Sequence, residues 1–113
     1  MDYNVKELSG VRVVELNGRL VSSCAEEFKE RLSVYLSNCS DLVLDFSRVS
    51  DIDSSGLGAL VYILHKSRAA GGNIKIACIQ PRPRIVFDVT KVYRVFEIYD
   101  SVEGAVSSFS VSD

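Results

Sequence analysis

The chain has 113 residues, of which 47% are hydrophobic and 25% charged, and its formal net charge is −2. This length suits one core, so we expect a single domain over residues 1–113. The small negative charge excludes the bulk attraction that non-specific binding to nucleic acid or anionic membranes requires. No stretch reaches the length and apolarity of a membrane span, and the N-terminus lacks the layout of a signal peptide. We therefore expect a cytoplasmic protein with a protein partner, no nucleic acid and no membrane contact.

Strand and helix patterns alternate from the beginning of the chain. Two β-prone runs separated by a Ser-Gly turn predict a hairpin, and an amphipathic stripe predicts the first helix. Gly18 is expected to end the second strand, and Ser23 with Glu26 has the spacing of a capping box at the start of the helix. The predicted elements are strands at 3–8 and 11–17, a helix at 23–37 and a strand at about 42–46.

The second half of the chain continues this alternation. A helix at about 54–70 is expected to end at Gly71 and Gly72, and Pro81 fits the first turn of a later helix. The apolar residues of that later helix are expected to face inward, namely Ile85, Val86 and Val89. The remaining predicted elements are strands at 74–79 and about 95–99 and a closing helix at 101–109. Helical crossovers between strands predict an α/β fold, with a mixed sheet of four to five strands and about four helices.

The three cysteines, Cys24, Cys39 and Cys78, are odd in number, widely spaced and without a CxxC pair. That pattern is not typical of a disulfide framework or of a zinc site, so we expect no bound metal. Unpaired cysteine is often buried, and we interpret the three as small core residues. Cys39, near a predicted helix end, fits this interpretation least well.

The segment LVLDFSRVSDIDSSGLGALVYIL, residues 42–64, carries the most informative motif. An apolar strand is followed by Asp-Ser-Ser-Gly, residues 53–56, at the start of an apolar-periodic helix. A helix N-terminus has unpaired backbone N–H groups and the positive end of the macrodipole, so it favours negative charge. Helix capping alone explains most Asp-Ser-Ser triplets. Here the nearby Asp51 and two glycines add an acidic patch with few side chains, which leaves a functional interpretation open.

Hydrolytic chemistry does not fit this motif. The G-x-S-x-G spacing of a hydrolase nucleophile is absent around Ser54 and Ser55. The only histidine, His65, lies about 16 Å from Ser54 along the predicted helix, whereas a general base must lie within about 3 Å. We expect His65 to be a partly exposed helix residue and the protein not to be an enzyme.

Two other kinds of site are incomplete in this sequence. Gly56 and Gly58 form a GxG at the start of a helix, but the third position of a dinucleotide fingerprint falls at Val61 and the Walker lysine is missing. Asp45 ends an apolar run as in a phosphoaspartyl receiver, yet the preceding strand supplies only Glu15 as an acidic partner for a metal. We therefore expect no cofactor.

The segment VLDFSRVSDIDSSGLGALVYIL closely resembles the motif of the STAS domain, in particular that of bacterial anti-sigma factor antagonists. NVKELSGVRVVELNGRL, GGNIKIACIQP and RIVFDVTKVYRVFEIYDSVEGAV are similar to the strands and helices on either side of it, so the resemblance covers almost the whole chain. It implies a STAS-type fold and a non-enzymatic switch, in which the unmodified antagonist binds an anti-sigma factor that is also a serine kinase with a histidine-kinase-like fold. Phosphorylation ends that binding, and a PP2C-type phosphatase resets it.

By this resemblance the phosphoacceptor is Ser54, and the domain acts as a monomer. The residues expected to contact the partner are Asp51, Asp53, Ser54, Ser55, Gly56, Leu57 and Gly58. Family members usually carry an acidic residue and an aspartate where this chain has Arg19 and Val21. The alternative that the resemblance leaves open is a STAS scaffold or stressosome-like subunit that is not switched.

Two further surfaces have open interpretations. Tyr62 and Ile63 either extend the docking surface or belong to the core. The basic residues Arg82, Arg84, Lys91 and Arg94 form either a solvated helix face or a partner-docking patch.

Overall fold

The computed structural model describes residues 1–110, so the last three residues of the predicted domain lie outside the described part. A mixed five-stranded sheet with four α-helices confirms the predicted fold class. The strands are β1 (Asp2–Leu8), β2 (Val11–Leu20), β3 (Leu42–Ile52), β4 (Ile74–Ala77) and β5 (Glu97–Tyr99). The helices are α1 (Ala25–Tyr35), α2 (Ser54–Ala69), α3 (Pro81–Thr90) and α4 (Val102–Phe109).

The strands lie in chain order across the sheet, β1-β2-β3-β4-β5. Among the described residues only β1 and β2 pair antiparallel. Their turn uses Ser9 and Gly10 at positive φ, which confirms the predicted hairpin. The other neighbours pair parallel because helices connect them. The carboxyl ends of β2, β3 and β4 therefore share one edge of the sheet, where the helices that follow them begin.

Helices cover both faces of the sheet. The larger core lies under α1, α2 and α3 and includes Phe28, Phe46, Leu60 and Phe87, all fully buried. The smaller core lies under α4, where Val43 and other apolar residues of the opposite sheet face are buried. Because both faces of the sheet are packed against helices, the positions of the strand ends at its carboxyl edge are well defined.

β2 and β3 are longer than predicted, so the expected polar connection after Phe46 is wrong. The two strands stay paired through two register shifts, as far as Leu20 opposite Ile52. Val49 and Ile52 are buried in this extension, and its polar residues occupy the more exposed positions between them. Only Asp53 separates β3 from α2 as a result.

The predicted capping box of α1 is also wrong. Cys24 occupies the N-cap, and no side chain makes a capping hydrogen bond there. Glu26 instead pairs with Lys29 at 2.9 Å. The Cys24 thiol lies 3.2 Å from the carbonyl oxygen of Arg19, so this turn is held by contacts with the preceding strand.

The orientation of α3 differs from the prediction. Ile85 and Val89 are 61% and 76% exposed, and Val86 is half-buried. The helix turns Pro83 and Phe87 toward the sheet instead, because the Phe87 ring packs against two other aromatic rings of the larger core. A single aromatic cluster thus sets the inward face.

Other boundaries follow local backbone geometry. β4 ends at Ala77 because Cys78 has a positive φ of 62°, which shortens the predicted strand. β5 begins only at Glu97, since a 3₁₀ turn over Val92–Arg94 precedes it. α2 ends before Gly71 and α4 begins after Ser101, close to the predicted positions.

The three cysteines are free and half-buried rather than fully buried as expected. Cys24 packs against the larger core and Cys78 against the smaller one, in agreement with the interpretation of these two as packing residues. Cys39 lies in the loop before β3, with its thiol 3.3 Å from the carbonyl oxygen of Asp41.

Candidate functional site at the start of α2

Asp53 determines the geometry at the start of α2. One carboxylate oxygen accepts a hydrogen bond from the Gly56 amide at 2.9 Å, which makes Asp53 the N-cap of the helix. The other oxygen accepts from the Ser22 amide at 3.0 Å, in the turn that leads to α1. The hydrogen bond from Gly56 is the main reason that the pKa of Asp53 is lowered, and the Ser22 amide lowers it further. The carboxylate is thus occupied by the protein's own backbone.

Ser54 and Ser55 are the first two residues of α2, and both side chains are exposed. Their hydroxyl groups are therefore open to solvent at the positive end of a 16-residue helix. A negatively charged group added here lies where the backbone amides of the first turn favour it. The position can carry new charge without entering the core.

Gly56 and Leu57 face the protein itself. A Cβ at Gly56 would overlap the backbone carbonyl of Leu20, so the glycine allows α2 to pack closely on the end of β2. Leu57 is 8% exposed and belongs to the larger core. Both residues are buried beneath the site, so they offer little accessible surface to a partner.

Gly58 and Tyr62 lie with Ser54 on one exposed stripe of α2, since they are four and eight residues further along the helix. A Cβ at Gly58 would meet no other atom within 4 Å, so internal packing does not require this glycine. Tyr62 is exposed, with the Lys29 ammonium group 5.1 Å from its ring centre. Ile63 is fully buried and belongs to the core. The stripe therefore has no side chain at Gly58, between the exposed side chains of Ser54 and Tyr62.

Asp51 lies beside this site on β3, but its charge is partly balanced. One of its carboxylate oxygens lies 3.6 Å from the guanidinium group of Arg19 on the neighbouring strand β2. The other accepts a hydrogen bond from the Ile52 amide. The region is therefore less acidic than the sequence alone indicates, because the Arg19 guanidinium group lies beside Asp51.

Two contributors to the site could not be found by sequence reasoning. The Ser22 amide is a backbone group, and nothing in the sequence places it near Asp53. The contact between Leu20 and Gly56 depends on how far β2 extends past Gly18, which the local pattern did not indicate. Val21 is half-buried, and its carbonyl accepts a hydrogen bond from the Cys24 amide at 3.0 Å.

The residues considered for chemistry are not brought together with Ser54. His65 is exposed on the fourth turn of α2, and an exposed position agrees with the prediction. Asp45 lies within β3, and its carboxylate accepts a hydrogen bond from the Ser47 amide. Within residues 1–110, no group of three or more His, Cys, Asp or Glu side chains is arranged to hold a metal ion. None of the helices in this part of the chain is both long and apolar enough to span a membrane.

A mixed five-stranded sheet, with a capped helix and an exposed serine at its carboxyl edge, defines a small α/β domain. The STAS domain family matches residues 2–105, and the chain belongs to this family. The anti-sigma-B factor antagonist of Bacillus subtilis strain 168 is 26% identical over 106 residues, which cover 94% of this chain and 97% of that protein.

Solved structures agree with this assignment. The crystal structure of the Thermotoga maritima protein TM1081 is similar with a TM-score of 0.87 at 26% identity, covering 94% of this chain and 92% of that one. The Bacillus cell fate determinant SpoIIAA in its phosphorylated form has the same fold, with a TM-score of 0.71 at 20% identity, covering 96% of this chain and 99% of that one.

Proposed function

We propose that this protein is an anti-sigma factor antagonist, a non-enzymatic cytoplasmic regulator that is switched by phosphorylation of Ser54. In its unmodified form it binds an anti-sigma factor that is also a serine kinase, and so releases a sigma factor. A PP2C-type phosphatase reverses the modification. The observation that carries this proposal is the exposed Ser54 hydroxyl at the first position of α2, directly after a cap that is saturated by backbone amides.

The geometry supports a local switch. A phosphoserine adds a charge of about −1.5 to −2 and three acceptor oxygens. The start of α2 tolerates this charge because the helix dipole and the first-turn amides favour it. Asp53 caps the helix through the Gly56 amide, so the cap does not depend on the phosphate, which can remain in solvent near the positive end of the helix. The fold is therefore expected to stay unchanged on phosphorylation.

Binding responds differently, because the same charge must be desolvated at the partner surface. Asp51 and Asp53 lie close by, and Arg19 balances only one of the two. A coupling of about 3 kcal/mol between phosphorylation and binding weakens the complex about a hundredfold. Among solved proteins of this fold, SpoIIAA occurs in a phosphorylated form, which supports a phosphate on such a domain.

The test is a pull-down with the purified anti-sigma factor kinase, using wild type, Ser54→Ala and Ser54→Asp as baits. We expect wild type and Ser54→Ala to retain the kinase and Ser54→Asp to lose it. Ser107→Asp, at an exposed serine of α4, is the control for added charge outside the contact residues and is expected to retain the kinase. Equal retention of all baits would overturn the switch.

Size-exclusion chromatography with light scattering measures the oligomeric state of the protein. We expect a monomer, whereas a stable high-order assembly indicates the scaffold alternative.

A further inference from the structure

The outer face of α3 combines exposed apolar and basic side chains. Ile85 and Val89, four residues apart and 61% and 76% exposed, stand next to each other along the helix. The basic side chains around them, which with these two make up the α3 outer face, are Arg82, Arg84, Lys91 and Arg94. The face therefore combines an apolar centre with positive charge, the composition of a surface that could contact an acidic protein.

The cations of this face have no internal partners. Within residues 1–110, none of the four basic side chains takes part in a salt bridge or a side-chain hydrogen bond. Asp88 is the only acidic residue among residues 81–95, although the chain as a whole has a net charge of −2. With four basic residues and one acidic residue, this stretch has a local net charge of +3.

This face is continuous with the start of α2. The Gln80 side chain donates a hydrogen bond to the Ser47 carbonyl at 2.6 Å, which holds the first turn of α3 against β3. A shallow groove between β3 and the first turn of α3 is lined by Ser50 and Arg82, and Ser50 lies three residues before Asp53. Because β3 and β4 pair parallel, α2 and α3 begin at the same edge of the sheet, which brings the first turn of α3 close to the segment that leads to Ser54.

We propose that the α3 outer face is a second contact region for the same anti-sigma factor, and that it binds an acidic surface of that protein with an apolar centre. This inference rests on the proposed function. A stable interface involves about 20–30 residues on each partner, whereas the exposed residues in the first turns of α2 are Ser54, Ser55 and Gly58. Complementary charge on α3 also orients the partner during association.

A protein surface fits this face better than an anionic membrane does. Asp88 is exposed beside Val89, and its carboxylate would be repelled by anionic lipid headgroups. Two aliphatic side chains form a small, defined apolar centre, as in the core of a protein interface. A partner side chain of opposite charge can meet Asp88, whereas a uniformly negative surface cannot.

The experiment measures the affinity of the purified anti-sigma factor kinase for charge and apolar variants of the full chain. Ile85→Ser/Val89→Ser and Arg84→Glu/Lys91→Glu are each expected to weaken binding about tenfold. The charge variant is also expected to show a flatter dependence on salt. Val34→Ser, at an exposed apolar residue of α1, and Lys66→Glu, at an exposed lysine of α2, are the matched controls and are expected to bind like wild type.

Ser54→Asp is measured in the same series to separate the two proposals. Weakening by Ser54→Asp with unchanged affinity of both α3 variants overturns this inference and leaves the proposed function. Weakening by the α3 variants alone supports this inference and overturns the phosphorylation switch. Absence of binding by wild type overturns both. The last probe is binding to vesicles of phosphatidylglycerol and phosphatidylcholine. If the α3 variants lose vesicle binding and keep kinase binding, the face binds membranes and this inference is overturned.

Discussion

The Asp53 carboxylate accepts a hydrogen bond from the Ser22 backbone amide at 3.0 Å, across 31 positions of the chain. This bond joins the start of α2 to the turn that follows β2, while the other carboxylate oxygen caps α2 through Gly56. The backbone repeats the connection, since the Asp53 amide donates to the Leu20 carbonyl at 3.3 Å. One aspartate therefore positions Ser54 relative to two different strands.

Replacing Asp53 is expected to lower the stability of the domain in two distinguishable steps. Asp53→Asn keeps an oxygen that can cap α2, because asparagine is a good N-cap residue, but it cannot accept from both amides. Asp53→Ala loses both hydrogen bonds. Thermal unfolding followed by circular dichroism is expected to give the order wild type, Asp53→Asn, Asp53→Ala, from the highest melting temperature to the lowest.

The dependence of this effect on pH has a defined sign. Because the folded pKa of Asp53 is lowered, its stabilising contribution is present above the pKa of the unfolded carboxyl, near 4. It is lost as the pH falls through the folded pKa. The difference in melting temperature between wild type and Asp53→Asn should therefore shrink below about pH 4. A difference that stays constant down to pH 2 would contradict the assignment.

The two glycines of the motif are expected to respond oppositely to alanine. In Gly56→Ala the new Cβ overlaps the Leu20 carbonyl, and overpacking against backbone typically costs about 1–3 kcal/mol. In Gly58→Ala the Cβ points into open space, and helix propensity stabilises the protein by about 1 kcal/mol. Urea unfolding measures both changes in the free energy of unfolding. Equal destabilisation by the two substitutions would show that Gly58 has an internal role which the geometry does not indicate.

Tyr3→Phe is expected to raise the free energy of unfolding by about 1 kcal/mol. Within residues 1–110, the Tyr3 hydroxyl is buried without a hydrogen-bond partner, and burial is the main cause of its raised pKa. The substitution removes this hydroxyl and keeps the ring contact with Phe28. Tyr99→Phe is the control, since the Tyr99 hydroxyl donates to Glu97 at 2.8 Å and its removal should not stabilise. Chemical unfolding of both variants checks the prediction, which a destabilised Tyr3→Phe protein would refute.

Features that depend on neighbouring residues in the chain were predicted well. The start of α2 at Ser54 and its end before Gly71 follow from a capping residue and a glycine at positive φ. The alternation of strands and helices likewise gave the correct class of fold. Such features are visible in the sequence because the interactions that cause them lie within a few residues.

Features that depend on distant parts of the chain were missed. β3 continues to Ile52 because β2 pairs with it, which no local pattern shows. The inward face of α3 is set by the contact of Phe87 with Phe46 and Phe96, so Ile85 was assigned to the wrong side. At the candidate site, the motif located the serine, but the partners of Asp53 and the pairing of Asp51 became visible only in three dimensions.

The most direct test of the central claim compares the affinity of the anti-sigma factor kinase for the unmodified protein and for protein carrying phosphoserine at Ser54. The modified protein is prepared by incorporation of phosphoserine at this position, and calorimetry gives both dissociation constants. We predict affinity about a hundredfold weaker for the phosphorylated form, with an unchanged circular dichroism spectrum. Equal affinity of the two forms, or loss of folded structure on phosphorylation, would contradict the account.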